Sequence, residues 1–192
     1  MQRIIIVTGT PGVGKTELSR LLAKETQSEL INLGELVKRE KLYRRFDPST
    51  RSYIIDERRT RRCLQGIFTS STGKRLVVET HWLGKFMPKR LGMVAIVVRL
   101  DPLILARRLN ARKWPKRKTW ENVEAELIDL SLYESLNFLG PKRVYELDAT
   151  RKRPRELLKE ALRILSVGEG WDGQTPNWLA RYDPVVLSRK VM

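Results

Sequence analysis

A chain of 192 residues with one cysteine, Cys63, can form no internal disulfide and offers no thiolate zinc site. No apolar run approaches the roughly 18 residues that a membrane span needs. Met1 leads within two residues into a strand-like run, which predicts no secretory signal peptide and a soluble, cytoplasmic protein. Histidine occurs once, as His81. Acidic residues are also scarce: 22 Asp and Glu face 38 Lys and Arg, a formal net charge of +16. That balance predicts polyanionic company, either nucleotides or RNA or both. Hydrophobic residues make up 41% of the chain and recur periodically, which excludes a disordered polymer. The length suits one domain.

What is present alternates between strand and helix patterns. Arg3 to Thr8 is a β-branched run bounded by glycine, as a central parallel strand buried on both faces requires. Further strands are expected at Leu30 to Leu33, Lys74 to Thr80, Met93 to Leu100 and Arg143 to Leu147. Helices are expected at Glu17 to Thr26, Gly34 to Leu42, Ile54 to Phe68, Pro102 to Ala111, Thr119 to Phe138 and Pro154 to Leu165. The order predicts a three-layer α/β fold around a parallel five-stranded sheet. From Ser166 to Met192 the glycines and prolines predict a loop-rich tail, with Trp171 and Trp178 packing it onto the domain.

Gly9-Thr10-Pro11-Gly12-Val13-Gly14-Lys15-Thr16 matches the phosphate-loop pattern, between a buried strand and a helix. Its glycines let consecutive N–H groups turn toward phosphate oxygens, and the helix N-terminus adds partial positive charge. Gly12, Val13, Gly14, Lys15 and Thr16 therefore form the expected ATP cradle. Lys15 reaches the β- and γ-phosphates, and Thr16 gives its hydroxyl to Mg²⁺. Such enzymes also need an acid at the end of a neighbouring strand. Glu79 fills that place, and His81 follows two residues later, where doubly wound folds put their sites.

These segments, in this order, resemble the adenylate kinase isoenzyme 6 family, archaeal and eukaryotic nucleoside monophosphate kinases also implicated in small-subunit ribosome maturation. The likeness spans Ile4 to Leu165. GTPGVGKT is that family's version of the loop. Ile31-Asn32-Leu33-Gly34-Glu35-Leu36 resembles the start of its monophosphate-binding region, and Ile55-Asp56-Glu57 its L-D-E segment. Glu79-Thr80-His81 resembles its D-x-H motif, and Arg112-Lys113-Trp114 its lid opening, followed by Glu121-Asn122. Leu147-Asp148-Ala149-Thr150 with Arg153-Pro154 stands where it keeps a nucleotide-base loop.

The resemblance implies an adenylate-kinase-like P-loop NTPase fold in residues 1–165, with a monophosphate-binding insert near 32–55 and a short lid near 111–121. It implies catalytic roles for Lys15, Glu79, His81 and Arg112, with Thr16 and Glu79 on Mg²⁺. Arg112 would contact phosphate from the lid, Arg153 would meet the nucleotide base, and Glu17 would lie beside the triphosphate. Asn32, Gly34, Lys38 and Arg39 would hold the acceptor, with AMP the expected monophosphate. The sequence departs from the family at four places. Glutamate replaces aspartate at 79, Lys113-Trp114 replaces Gly-Tyr, Glu17 replaces a second threonine, and no counterpart is placed for the tail beyond Ser166.

Three basic clusters remain. Arg58-Arg59-Thr60-Arg61-Arg62 and Arg151-Lys152-Arg153-Pro154-Arg155 each hold four cations in five residues, and Arg107 to Lys118 holds seven in twelve. Two or three arginines suffice for phosphoryl transfer. The excess fits contact with ribosomal RNA. It equally fits a thermophile's solvated charge networks, as do only five Asn and four Gln. Three functions follow. The first is a Mg²⁺-dependent, broad-specificity ATP:nucleoside monophosphate kinase with intrinsic ATPase activity, linked to 30S and 16S rRNA maturation. The second is an assembly ATPase acting on a small-subunit ribosomal protein, as a monomer or transient heterodimer and away from membranes. The third is a non-catalytic RNA-binding P-loop module.

Overall fold

The computed structural model describes residues 4–48, 52–88, 92–168, 170–173 and 176–192. Five parallel strands form the central sheet: β1 (Ile4–Thr8), β2 (Glu29–Asn32), β5 (Leu76–Glu79), β6 (Met93–Arg99) and β7 (Val144–Asp148). Their order is β2-β5-β1-β6-β7. Two antiparallel strands, β3 (Tyr43–Asp47) and β4 (Ser52–Ile55), make a separate hairpin. The three-layer α/β fold expected from the sequence is present; Arg3, expected in β1, lies outside the described residues.

Both faces of the sheet are covered, which explains its unbroken apolar runs. Alternation along β1 sends Ile5 and Val7 to one core, and Ile4 and Ile6 to the other. The first core takes Leu18 and Leu22 of α1 (Lys15–Glu25), and Leu105 and Leu109 of α5 (Pro102–Ala111). It also takes Val123 and Leu127 of α6 (Lys116–Leu127), and Leu157 and Ala161 of α8 (Pro154–Val167). The second holds Leu36 and Val37 of α2 (Leu33–Arg39), Leu64 and Phe68 of α3 (Glu57–Ser70), and Leu83 and Phe86 of α4 (Leu83–Phe86). Leu132 and Leu139 of α7 (Leu130–Leu139) complete it.

Three expectations are corrected. The helix expected from Ile54 begins only at Glu57. Ile54 and Ile55 pair with Arg45 and Tyr43 in the hairpin, and the Asp56 carboxylate caps α3 by accepting the Arg59 N–H at 3.0 Å. The long helix expected over Thr119 to Phe138 is two helices. Asp129 adopts a left-handed conformation (φ 56°) and ion-pairs with Arg99, so the chain turns there although the apolar period runs on.

The tail holds two short helices, α9 (Trp178–Arg181) and α10 (Pro184–Val191), where loop was expected. Asn177 and Asp183 cap them, and Pro184 stands at a first-turn position. Trp178, Leu187 and Val191 join the first core, with Trp178 wholly buried. No helix among the described residues is long and apolar enough to cross a membrane.

Candidate functional site

The site begins where β1 ends. Gly9 (φ 137°) lies against β6, and a Cβ there would overlap the Val98 carbonyl oxygen. This close approach sets the first bend of the loop. The second follows from Gly14, the α1 N-cap in a left-handed conformation (φ 114°), with no side chain capping the helix. The first-turn N–H groups of α1 thus keep their donor capacity for an anion.

Lys15 opens α1 and is buried at 7% exposure. Its ammonium donates to the Gly9 carbonyl at 2.8 Å and the Thr10 carbonyl at 3.0 Å. Burial lowers its pKa to about 8. The carboxylates of Glu79 and Glu126 resist that fall, and Arg112 adds to it. The lysine is mostly charged at neutral pH, and its positive charge is poorly screened.

Strand register assembles the acidic side. Glu79 lies opposite Val7 of β1 on one flank and Asn32 of β2 on the other. Thr16 Oγ1 donates to Glu79 Oε1 at 2.6 Å, and Asn32 Nδ2 donates to Glu79 Oε2 at 2.8 Å. Asn32 Oδ1 also accepts the Glu35 N–H at 3.0 Å, capping α2. One asparagine therefore fixes the carboxylate and starts the next helix. Among the described residues no cluster of three or more His, Cys, Asp or Glu is arranged to hold a metal. A lone carboxylate beside a hydroxyl suits Mg²⁺, which keeps water and takes its other ligands from substrate phosphates. The donor set fits that ion.

His81 follows on the β5–α4 turn, with its ring centroid 3.5 Å from that of Trp82. Burial, with Lys15 and Lys118 adding to it, lowers its pKa to about 3. It is neutral at physiological pH and can donate one hydrogen bond and accept another.

These groups form part of the wall of a cavity of about 880 Å³, at the upper end of the range for ligand clefts. Its far wall includes Gly34 and Lys38 of α2, Ser52, Tyr53 and Ile55 of the hairpin, and Leu130 and Ser131 of α7. Lys38 Nζ lies 5.9 Å from the Tyr53 ring centre. Trp114, Lys118 and Asn122 close the cavity from the α5–α6 side. Lys118 bridges the mouth, donating to Ser52 Oγ at 3.1 Å with its ammonium 4.9 Å from the Trp114 ring centre.

Of the residues singled out from sequence, Gly12, Lys15, Thr16, Asn32, Gly34, Lys38, Glu79 and His81 line this cavity. Val13 is buried in the core under the loop. Arg112 ends α5, outside the cavity lining, close enough to the loop for its charge to act on Lys15. Arg39 pairs with Glu40 at 2.9 Å and borders a separate recess of about 220 Å³. Glu17 pairs with Arg20 at 2.9 Å, on the exposed side of α1. Arg153 is exposed at the α8 N-cap.

Sequence reading did not single out Tyr53, Arg108, Lys118 or Glu126. Arg108 Nη1 donates to the Val13 carbonyl at 3.2 Å and buttresses the loop from α5. Glu126, 1% exposed, accepts the Thr10 hydroxyl at 2.6 Å and the Arg99 Nε–H at 2.8 Å. Glu126 stands between Glu124 and Asp129, so nothing local in the sequence marked it. Lys118 and Arg108 were indistinguishable from their basic neighbours.

Comparison with known proteins shows the family and the fold. A family model described as an AAA domain matches residues 5–129. The chain is 36% identical over 183 residues to a Thermococcus onnurineus protein named "Putative adenylate kinase", covering 95% of each. It is 33% identical over 184 residues to a protein of the same name from Methanococcus maripaludis, covering 93% of this chain and 97% of the relative. A match over 95% of the chain must extend well past Leu165, so the tail has counterparts in such relatives, contrary to the expectation from sequence. Among solved structures, shikimate kinase from Acinetobacter baumannii in complex with shikimate superposes with a TM-score of 0.61 at 14% identity. It covers 88% of this chain and 96% of that one, a likeness of fold. With its phosphate loop, its five-stranded parallel sheet and its full-length archaeal relatives, the chain belongs to the adenylate-kinase-like family of P-loop proteins.

Proposed function

We propose that this protein transfers the γ-phosphoryl group of ATP to a nucleoside monophosphate, with broad acceptor range and AMP as the leading acceptor. We place it in the isoenzyme 6 branch of the family. One observation carries the reading: Lys15, Thr16 and Glu79 converge on one side of a cavity whose other side is a hairpin and a helix bearing Lys38 and Tyr53. Such a cleft suits two ligands meeting end to end. The names of the archaeal relatives support it.

In this reading the α1 N-terminus and Lys15 hold the β- and γ-phosphates. Bound Mg²⁺ would supply charge neutralisation as the γ-group transfers. Thr16 and Glu79 would hold it. A phosphate oxygen of the acceptor attacks the γ-phosphorus, the bond to the β–γ bridging oxygen breaks, and ADP leaves. That acceptor oxygen carries no proton at neutral pH, so no general base is needed. Neutral His81 suits this: it can orient a ligand or water without adding charge. Residues 32–55 would serve as the monophosphate region, with Asn32, Gly34, Lys38 and Arg39 its candidates. Residues 111–121 would serve as the lid, with Arg112 swinging toward the transferring group and Arg153 meeting the base. Lid closure excludes water, and imperfect exclusion yields an intrinsic ATPase.

A second reading has its own support. A net charge of +16 exceeds what a nucleotide site needs, and Arg58, Arg59, Arg61 and Arg62 are not fully covered by the α3 packing that buries Thr60 and Leu64. An assembly ATPase acting with a small-subunit ribosomal protein or 16S rRNA would use that surface. A purely RNA-binding module is the weakest reading, since Lys15 and Thr16 are both in place. Product analysis decides among them. The kinase reading expects diphosphates that form only when ATP is supplied with AMP, CMP, UMP or GMP. Phosphate release that ignores every monophosphate, and is quickened by a small-subunit protein, would replace it with the second reading.

A further inference from the structure

A buried chain of hydrogen bonds joins the phosphate loop to the helix after the lid turn. Glu126 sits in the last turn of α6 and is 1% exposed. Its Oε2 accepts the Thr10 hydroxyl at 2.6 Å. Its Oε1 accepts Arg99 Nε–H at 2.8 Å and the Leu100 N–H at 3.1 Å. Arg99 Nη2 donates in turn to the Glu126 carbonyl at 3.1 Å, while Nη1 donates to Glu146 at 2.6 Å. Arg99 and its acids therefore clamp the carboxylate on one side, leaving Thr10 as its partner on the other. Thr10 is also the residue whose carbonyl, with that of Gly9, receives the Lys15 ammonium.

We propose that Glu126 is a positioning residue, which through Thr10 holds the first half of the phosphate loop, and with it Lys15, in register with the lid helix α6. Any displacement of α6 moves the carboxylate against Thr10 and shifts the two carbonyls that hold the lysine. The same carboxylate lies near enough to help keep Lys15 protonated, opposing the burial that pulls its pKa down. The other charges acting on Lys15 are Glu79 on β5 and Arg112 after α5, and Lys15 itself acts on His81. The geometry needs no nucleotide; only its consequence for ATP affinity rests on the function proposed above.

The test uses the full chain without ligand and follows backbone-amide hydrogen exchange in the phosphate loop. Glu126→Gln keeps the shape but removes the charge, leaving the Thr10 hydroxyl a weaker, neutral partner. Exchange across residues 9–13 should quicken several-fold. Unchanged exchange in a folded Glu126→Gln protein overturns the proposal. Thr10→Val keeps the charge and breaks the tether. It should weaken binding of a non-hydrolysable ATP analogue by about tenfold, and Thr10→Ser should restore it. Wild-type affinity in Thr10→Val overturns the tether, and decides the matter if Glu126→Gln does not fold. If the wild type fails to bind the analogue, the proposed function falls and the hydrogen-exchange comparison alone decides the tether.

Discussion

Thr16 Oγ1 lies 2.6 Å from Glu79 Oε1, so the hydroxyl and the carboxylate that would share a magnesium ion already touch across 63 residues of sequence. The longer side chain at 79 makes that contact possible while Asn32 anchors its other oxygen. Glu79→Asp withdraws the carboxylate by one methylene and should break one of these two bonds. The expected result is a several-fold rise in the Mg²⁺ concentration needed for half-maximal activity, with melting temperature nearly unchanged. Metal titration of the rate checks it.

Lys15→Ala removes the charge that the proposed reaction places at the transferring phosphate. Loss of one such preorganised group should lower kcat by about 100-fold or more, and steady-state rates with saturating ATP check it. The same substitution ends the donation to the Gly9 and Thr10 carbonyls, so KM for ATP should rise as well.

His81 carries a stability signature. Its pKa is about 3 in the folded chain and near 6.5 in the unfolded one. Between those values the unfolded state binds more protons, so this group's contribution to stability rises with pH. It is complete above about 6.5 and is lost as pH falls toward 3. His81→Gln should flatten the slope of unfolding free energy against pH in that window, as denaturant melts at pH 4 to 7 will show.

Arg99 binds Glu126, Glu146 and Asp129 while only 1% exposed. Arg99→Met leaves those acids without their cation. Breaking a buried pair in this way costs about 3–5 kcal/mol, equivalent to a fall in melting temperature of roughly 10 °C for a chain this size. Calorimetry checks it.

The tail is part of the first core. Trp178→Ala removes a wholly buried indole and should cost about 3–5 kcal/mol. A loss below about 1 kcal/mol would mean that the tail detaches freely.

The sheet was legible because short, continuous apolar runs such as Ile4–Val7 and Met93–Val98, rich in β-branched residues, suit strands buried on both faces. The phosphate loop was legible because its glycines sit at fixed offsets before Lys15. The β3–β4 hairpin was not: Tyr43 to Ile55 carries arginines and tyrosines on a thin ribbon, with no apolar alternation to mark it. The break between α6 and α7 was hidden because Asp129 turns the chain through an ion pair with Arg99, 30 residues earlier. Glu126 was hidden for the same reason, since its partners Thr10 and Arg99 are distant in sequence.

In the proposed complex the amides of Gly12 to Thr16 grip a nucleotide's phosphates and Glu79 faces the metal. A crystal structure grown with ADP and Mg²⁺ tests this most directly. The expected result is the β-phosphate seated on those amides, with the ion beside Thr16 and Glu79. ADP bound elsewhere, or a Glu79 carboxylate turned away from the metal, would contradict it.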